Sequence, residues 1–239
     1  MAILHVVIVW GGFYVVNPRV HSPRVVPGIH SRSWCPAQQK GLYVPLSNHG
    51  AEFFKKDHKV ICVDRHVGDV CPGMGKIVLD LDGEWDEIGA RKFDVVFALD
   101  ILEHLKSPER GTKKLFQLLR SGGKLYASTG NVSYFIIRLM LLFGTFNYGR
   151  RGILDLTYTR LLTKKSFTGL LKNEGFIVEK IIGFGPPIKD LNKKSHFVHL
   201  LDYLFYLLAL WWPSLFAYQL LAICHRPDHI EDLIPKTFI

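Results

Sequence analysis

No aspartate or glutamate occurs in the first 51 residues of this 239-residue chain, although Arg19, Arg24, Arg32 and Lys40 lie there. The net charge of +9 is distributed accordingly, and the other 26 basic residues face all 21 acids. Such a chain lacks the clustered basic face with interleaved aromatics that nucleic acid requires, so no nucleic-acid partner is read. A solvated surface with affinity for anionic lipid or phosphate fits the excess charge better. Cysteine is also scarce: Cys35, Cys62, Cys71 and Cys224 form no CxxC pair and no metal-ligand spacing. That argues against a metal centre and fits a reducing, cytoplasmic compartment, with Cys62 and Cys224 as inert thiols in apolar runs.

Two apolar runs also lack something. "MAILHVVIVWGGFYVV" has neither the charged leader nor the small-residue cleavage site of a signal peptide. The run 203–224 is long enough to cross a bilayer, but Pro213, Ser214 and Gln219 interrupt it. The preferred reading is a helix, a turn at "WWPS" and a closing strand in "FAYQLLAICHRP". Peripheral membrane contact through 203–224, with Trp211 and Trp212 suited to the headgroup level, and a true span are the alternatives.

What is present is the pattern of one α/β domain. The chain is 48% hydrophobic and 21% charged, with a mean hydropathy of +0.14. It divides into an atypical segment 1–51, a main domain 52–228 and a short tail 229–239. The first segment carries Pro18, Pro23, Pro27, Pro36 and Pro45 with no helical period; it is expected to be a poorly ordered arm or not the natural amino terminus. Beyond it strands and helices alternate. "KVICVD", "KIVLDLD", "FDVVFALD", "KLYASTG" and "FIVEKIIGF" read as strands of a mainly parallel, three-layer sheet. Ser107, Pro108 and Glu109 begin a helix, Leu115, Leu118 and Leu119 give it a buried stripe, and Gly122 ends it. Thr163 caps a second helix, which buries Phe167, Leu170 and Leu171 and stops at Gly175.

The chemistry gathers at strand ends. Ligands of open parallel sheets bind beyond the carboxyl ends of the strands, and Asp64, Asp80 and Asp100 each fall at or near such an end. An acid closing the second strand can accept both hydroxyls of a ribose, and Asp80 in "LDLD" is placed to accept from the exocyclic amine of a base. Each could equally be a turn former. Just after Asp100 stand Glu103 and His104. His104 is the candidate general base, because its titration lies in the physiological range, with capping of the turn as the alternative.

From 93 onward the chain resembles the class I S-adenosylmethionine-dependent methyltransferases. "KFDVVFALDILEHLKSPER", "LLRSGGKLYASTGNVS" and "RRGILDLTYTRLLTKKSFTGLLKNEGF" are similar to successive blocks of the bacterial branch associated with glycan and lipid modification. The resemblance implies a Rossmann-like fold with a seven-stranded sheet whose last strand is antiparallel, and S-adenosylmethionine as cofactor. It places Asp64 at the ribose, Arg65 among the cofactor-binding residues, Asp80 and Leu81 at the adenine, and Asp100 beside the cofactor. Glu103 and His104 take the catalytic side. Asn131, Asp155, Thr157, Tyr158 and Arg160 line the acceptor pocket, where the family usually has histidine in place of Tyr158. Arg160 pairing with Asp155 is the structural alternative. The implied reaction is O-methylation of a small molecule, sugar or lipid-linked acceptor.

One departure stands out. The family's first strand ends in an acid followed by a glycine-rich loop, and counting back from Asp64 puts that loop at 41–47, "GLYVPLS", without the acid. The first strand is therefore expected to be incomplete or atypical, and methyl transfer impaired. A non-catalytic methyltransferase-like module and a membrane-associated accessory protein are the competing readings. The sequence gives no oligomeric state.

Overall fold

The structure is a computed structural model that describes residues 4–9, 59–64, 75–88, 90–149, 152–188 and 195–228. The described strands are β1 (Leu4–Val9), β2 (Lys59–Asp64), β3 (Gly75–Val78), β4 (Phe93–Leu99), β5 (Leu119–Gly130), β6 (Ile177–Phe184) and β7 (Gln219–His225). They form one seven-stranded sheet in the order β3-β2-β1-β4-β5-β7-β6. Pairing is parallel from β3 through to β5, and β7 runs antiparallel to both β5 and β6. The expected Rossmann-like α/β arrangement with an antiparallel last strand is what the chain adopts.

The sheet draws a strand from the segment that the sequence reading set apart. Leu4–Val9 lies between β2 and β4, with Val6 opposite both Ile61 and Val96. The first strand is thus the run "LHVVIV", a β-branched stretch suited to a strand flanked on both sides. The loop placed at 41–47 by counting back does not directly follow the first strand, and those residues lie outside the described ones.

The remaining elements form where side-chain pattern and capping agree. Helix α1 (Pro108–Leu118) begins where the Ser107 hydroxyl accepts from the Arg110 amide, with proline in its first turn. It packs on β4, β5 and a second helix, α3 (Lys164–Asn173). At the start of α3, Thr163 and Ser166 satisfy each other's amides in a capping box, and Phe167, Leu170 and Leu171 are buried. Gly175 follows at φ 92°, a backbone conformation that glycine adopts without strain. The end of α1 differs from expectation. Leu119 already belongs to β5, opposite Phe93, and the next matched pair is Val95 with Lys124. Residues between them bulge out, so Gly122 (φ 69°) shapes a kink in the strand, where its amide donates to Arg226 O.

The core is continuous through the sheet. Val96, Ala98, Leu125, Ala127, Leu220, Ala222 and Cys224 are fully buried, and Phe93 and Phe167 are the largest of the fully buried side chains described. Burial pushes the Cys224 thiol up to about 12, so this thiol is inert; the Cys62 side chain lies outside the described ones. Two further helices lie beside the sheet, α2 (Phe135–Leu142) and α4 (His196–Trp211), and the turn Pro213–Phe216 leads from α4 into β7. The interrupted run is therefore a helix, a turn and a strand. Among the described residues no helix is long and apolar enough to cross a membrane.

Candidate active site

Because β2, β3 and β4 are parallel, their carboxyl ends share one rim of the sheet, and the three acids follow from that. Asp64 is the last residue of β2, Asp80 stands two past β3, and Asp100 directly follows β4. Only the backbone of Asp64 is described, and Arg65 lies outside the described residues. Asp80 is exposed, and its Oδ1 accepts the Asp82 amide at 3.1 Å while its carbonyl accepts the Gly83 amide. Leu81 is buried beside it, and its carbonyl accepts Trp85 Nε1.

Asp100 has a different environment. Its φ of 52° is left-handed, a conformation a non-glycine residue adopts only when its surroundings hold it there. Here its amide donates to Ser128 Oγ at 3.0 Å, and the Ser128 hydroxyl donates back to Oδ1 at 2.8 Å. Gln219 Nε2 donates to both carboxylate oxygens at 2.7 Å. The resemblance sets Asp100 beside the cofactor; its carboxylate is buried and engaged by β5 and β7.

Glu103 is deeper still, at 1% exposure. The Gly130 amide reaches Oε1 at 3.4 Å, while Oε2 is buried and accepts no hydrogen bond. Burial, reinforced by the charge of Asp100, holds the Glu103 carboxyl well above its usual range. Asp100 is raised by burial as well, but the donors Ser128 and Gln219 oppose that shift. Of the two carboxyls, Glu103 is the one driven more strongly towards its protonated form.

His104 is joined to the "DLTYTR" block. Thr157 Oγ1 stands 2.6 Å from Asp155 Oδ1 and 3.1 Å from His104 Nδ1. An ionised carboxylate offers no hydrogen, so the hydroxyl donates to Asp155 and can only accept from the imidazole. The proton of neutral His104 then sits on Nδ1, and Nε2 holds the basic lone pair. Burial depresses His104, opposed by Thr157 O and by the Asp155 charge, so the ring is neutral at pH 7. Tyr158 meets it edge-on with ring centroids 4.8 Å apart. The peptide of Glu103 is tied to the same block, its carbonyl accepting the Thr159 amide at 2.8 Å and the Arg160 amide at 3.2 Å.

Residues 75–127 match the family model described as "Methyltransferase domain". The match spans the run from β3 to β5, less than half of the chain. No curated protein matches. Among solved structures, the chain is similar to an S-adenosylmethionine-dependent methyltransferase from Mesorhizobium loti, at 16% identity and a TM-score of 0.46, over 74% of this chain and 85% of that one. One from Archaeoglobus fulgidus shows 17% identity and a TM-score of 0.47, over 75% and 81%. The Burkholderia thailandensis 1,6-didemethyltoxoflavin-N1-methyltransferase, solved with its substrate and S-adenosylhomocysteine, shows 14% and 0.44, over 74% and 65%.

Two expected acceptor residues have other work. Asn131 is fully buried, and its Nδ2 donates to the carbonyls of Pro213, Ser214 and Ala217, while Oδ1 accepts from the Ser133 amide and hydroxyl. Both ends of the amide hold the turn before β7, which corrects its reading as a donor to the acceptor. Arg160 is exposed and pairs with Glu109 at the start of α1, which also corrects the alternative pairing with Asp155. Asp155 and Thr157 face His104 in a chain of hydrogen bonds. Gln219 was missed as a site residue, since an amide inside "FAYQLLAIC" reads only as an interruption. Its signal was that an apolar strand tolerates one buried polar group only with a partner. Among the described residues, no three potential metal ligands of the His, Cys, Asp and Glu kind gather.

Proposed function

We propose that this protein is an S-adenosylmethionine-dependent methyltransferase acting on a hydroxyl of a small-molecule, sugar or lipid-linked acceptor, with His104 as general base. The observation that carries the reading is the hydrogen-bonded series Asp155–Thr157–His104, set at the rim where Asp64 and Asp80 end parallel strands. The "Methyltransferase domain" match over 75–127 supports it.

The residues at the rim suit the cofactor in part. The exposed carboxylate of Asp80 can accept from an amine, and the location of Asp64 at the end of β2 supports a ribose-binding role for it. Asp100, committed to Gln219 and Ser128, contributes architecture. The expectation of impaired transfer rested on the loop at 41–47. With β1 ending at Val9, the residues that continue from the first strand are Trp10, Gly11 and Gly12, which supply two residues without Cβ but still no acid.

The cofactor supplies a methyl group on a positively charged sulfur. The chain's own part is alignment and proton removal. Asp155 orients Thr157, Thr157 fixes the His104 tautomer, and Nε2 takes the proton of the acceptor hydroxyl. Glu103, driven by burial towards its neutral form, adds little charge beside a ring that gains one. Calorimetry with S-adenosylhomocysteine tests the binding half, with micromolar affinity expected and a loss of about tenfold in Asp80→Asn. His104→Gln tests the chemistry: cofactor affinity is retained while turnover falls by about two orders of magnitude or more.

The second reading, a non-catalytic module that keeps the fold, is favoured by the burial of His104 at 4% exposure and by the missing acid after β1. It predicts no binding of S-adenosylhomocysteine.

A further inference from the structure

Large apolar side chains stand uncovered on α2, on the loop after it and on α4. Leu142, Phe143 and Trp211 are 76%, 77% and 76% exposed. Residues 141–148 are exposed without a break, and Gly144, at φ 69°, has nothing within 4 Å of where a Cβ would stand. This is a projecting loop tipped with Leu142, Phe143, Phe146 and Tyr148. Helix α4 adds Leu200, Tyr203, Leu207 and Trp211 along its outward side, and it buries only Ala209. The two regions are one surface, because Phe135 of α2 stacks on Phe205 of α4 with centroids 6.0 Å apart and leans on Phe216. A contiguous apolar area of this kind marks a docking site.

We propose that α2, the loop at 143–148 and α4 form a surface that seats on an anionic lipid bilayer, with Leu142, Phe143, Trp211 and Trp212 entering the headgroup region. Charge selects this occupant. The stretch 133–153 has no acid and carries Arg138, Arg150 and Arg151. Lys189, Lys193 and Lys194 precede α4, with only Asp190 and Asp202 as acids between 187 and 212. In the sequence, cations bracket both aromatic and aliphatic stretches, as they do in segments that settle at the interface of an acidic membrane. At 16 residues α4 is too short to span the hydrocarbon core, so it lies in the interface.

The surface also continues into the candidate site. The Gly149 amide donates to Leu154 O at 2.8 Å and the Leu156 amide donates to Gly149 O at 3.0 Å, pinning the base of the loop to the turn that carries Asp155 and Thr157 to His104.

Flotation of the full chain with phosphatidylcholine vesicles, with and without about 30% phosphatidylglycerol, tests the proposal. Binding at least about tenfold tighter to the anionic vesicles is expected. The double variant Leu142→Asp/Phe143→Asp should lose about tenfold or more of that affinity, with an unchanged circular-dichroism melt. Should that variant fail to fold, Trp211→Ser reads the same surface from α4. Equal partitioning to both vesicle types, no binding to either, or wild-type binding by a folded variant overturns the proposal. Concentration-dependent dimerisation that the variant abolishes overturns it too, assigning the surface to a second copy. Affinity for S-adenosylhomocysteine, measured on the same variant, is expected to be unchanged, so failure on vesicles leaves the methyltransferase reading where it stands.

Discussion

The two halves of the sheet rim treat the same residue type in opposite ways. On the β3 side Asp80 is exposed and merely closes a turn. On the β4 and β5 side Asp100 is buried, left-handed and held by two side chains. What separates them is β7. That strand runs against the others, so it begins at the rim where they finish, with Gln219 opposite Gly130. It brings Tyr218, Gln219 and the Asn131-bound turn over the ends of β4 and β5. Among the described residues no antiparallel strand reaches β2 or β3. One half is thereby closed into a hydrogen-bonded polar core, and the other leaves Asp80 exposed. Strand polarity, more than residue type, decides whether an acid at a strand end becomes structural.

Substitutions can break or sharpen that contrast. The largest effect belongs to the closed half: Asn131→Ala takes from the Ala217 carbonyl its side-chain donor and from the Ser133 amide its acceptor, and urea titration should show a loss of about 2–4 kcal/mol. Glu103→Gln comes next and has the opposite sign. The folded Glu103 carboxyl is raised by burial and by Asp100. The wild type is therefore most favoured below the ordinary glutamate range and loses stability as pH rises through the raised value. The glutamine variant should melt about 2–4 °C higher at pH 8, with the gain shrinking towards pH 4. On the open half, Asp80→Asn should change stability by no more than about 0.5 kcal/mol while weakening S-adenosylhomocysteine binding. An equal stability loss at Asp80 and Asn131 would erase the distinction. The smallest effect is expected at the exposed Arg160–Glu109 pair, where Arg160→Ala should cost within about 0.5 kcal/mol by thermal melt.

The parts legible in the sequence were those governed by local rules. Caps at Ser107 and Thr163, the buried stripe of α3 and the break at Pro213 all stand where the residues place them, because each depends on neighbours within a turn or two. Placement of acids at strand ends was legible for the same reason. Contacts between distant segments were not. Gln219 meets Asp100 across 119 residues, Asn131 reaches Ala217 across 86, and Thr157 meets His104 across 53. No spacing rule reports such pairs, so the buried partners of Asp100 and Asn131 were not foreseen. Proline density in the first segment likewise hid "LHVVIV", whose strand character needs the flanking β2 and β4 to be realised.

The position of β1 has a mechanical consequence. Among the described strands β2 pairs only with β1 and β3, so the six-residue ribbon Leu4–Val9 is the one strand that carries the backbone ladder from the Asp64 end across to β4. Trimming a handful of amino-terminal residues, or displacing them with a fused tag, would break that ladder and leave the Asp80 turn held to the His104 half by side-chain ties such as Asp82 to the Lys106 amide and Glu84 to Arg110.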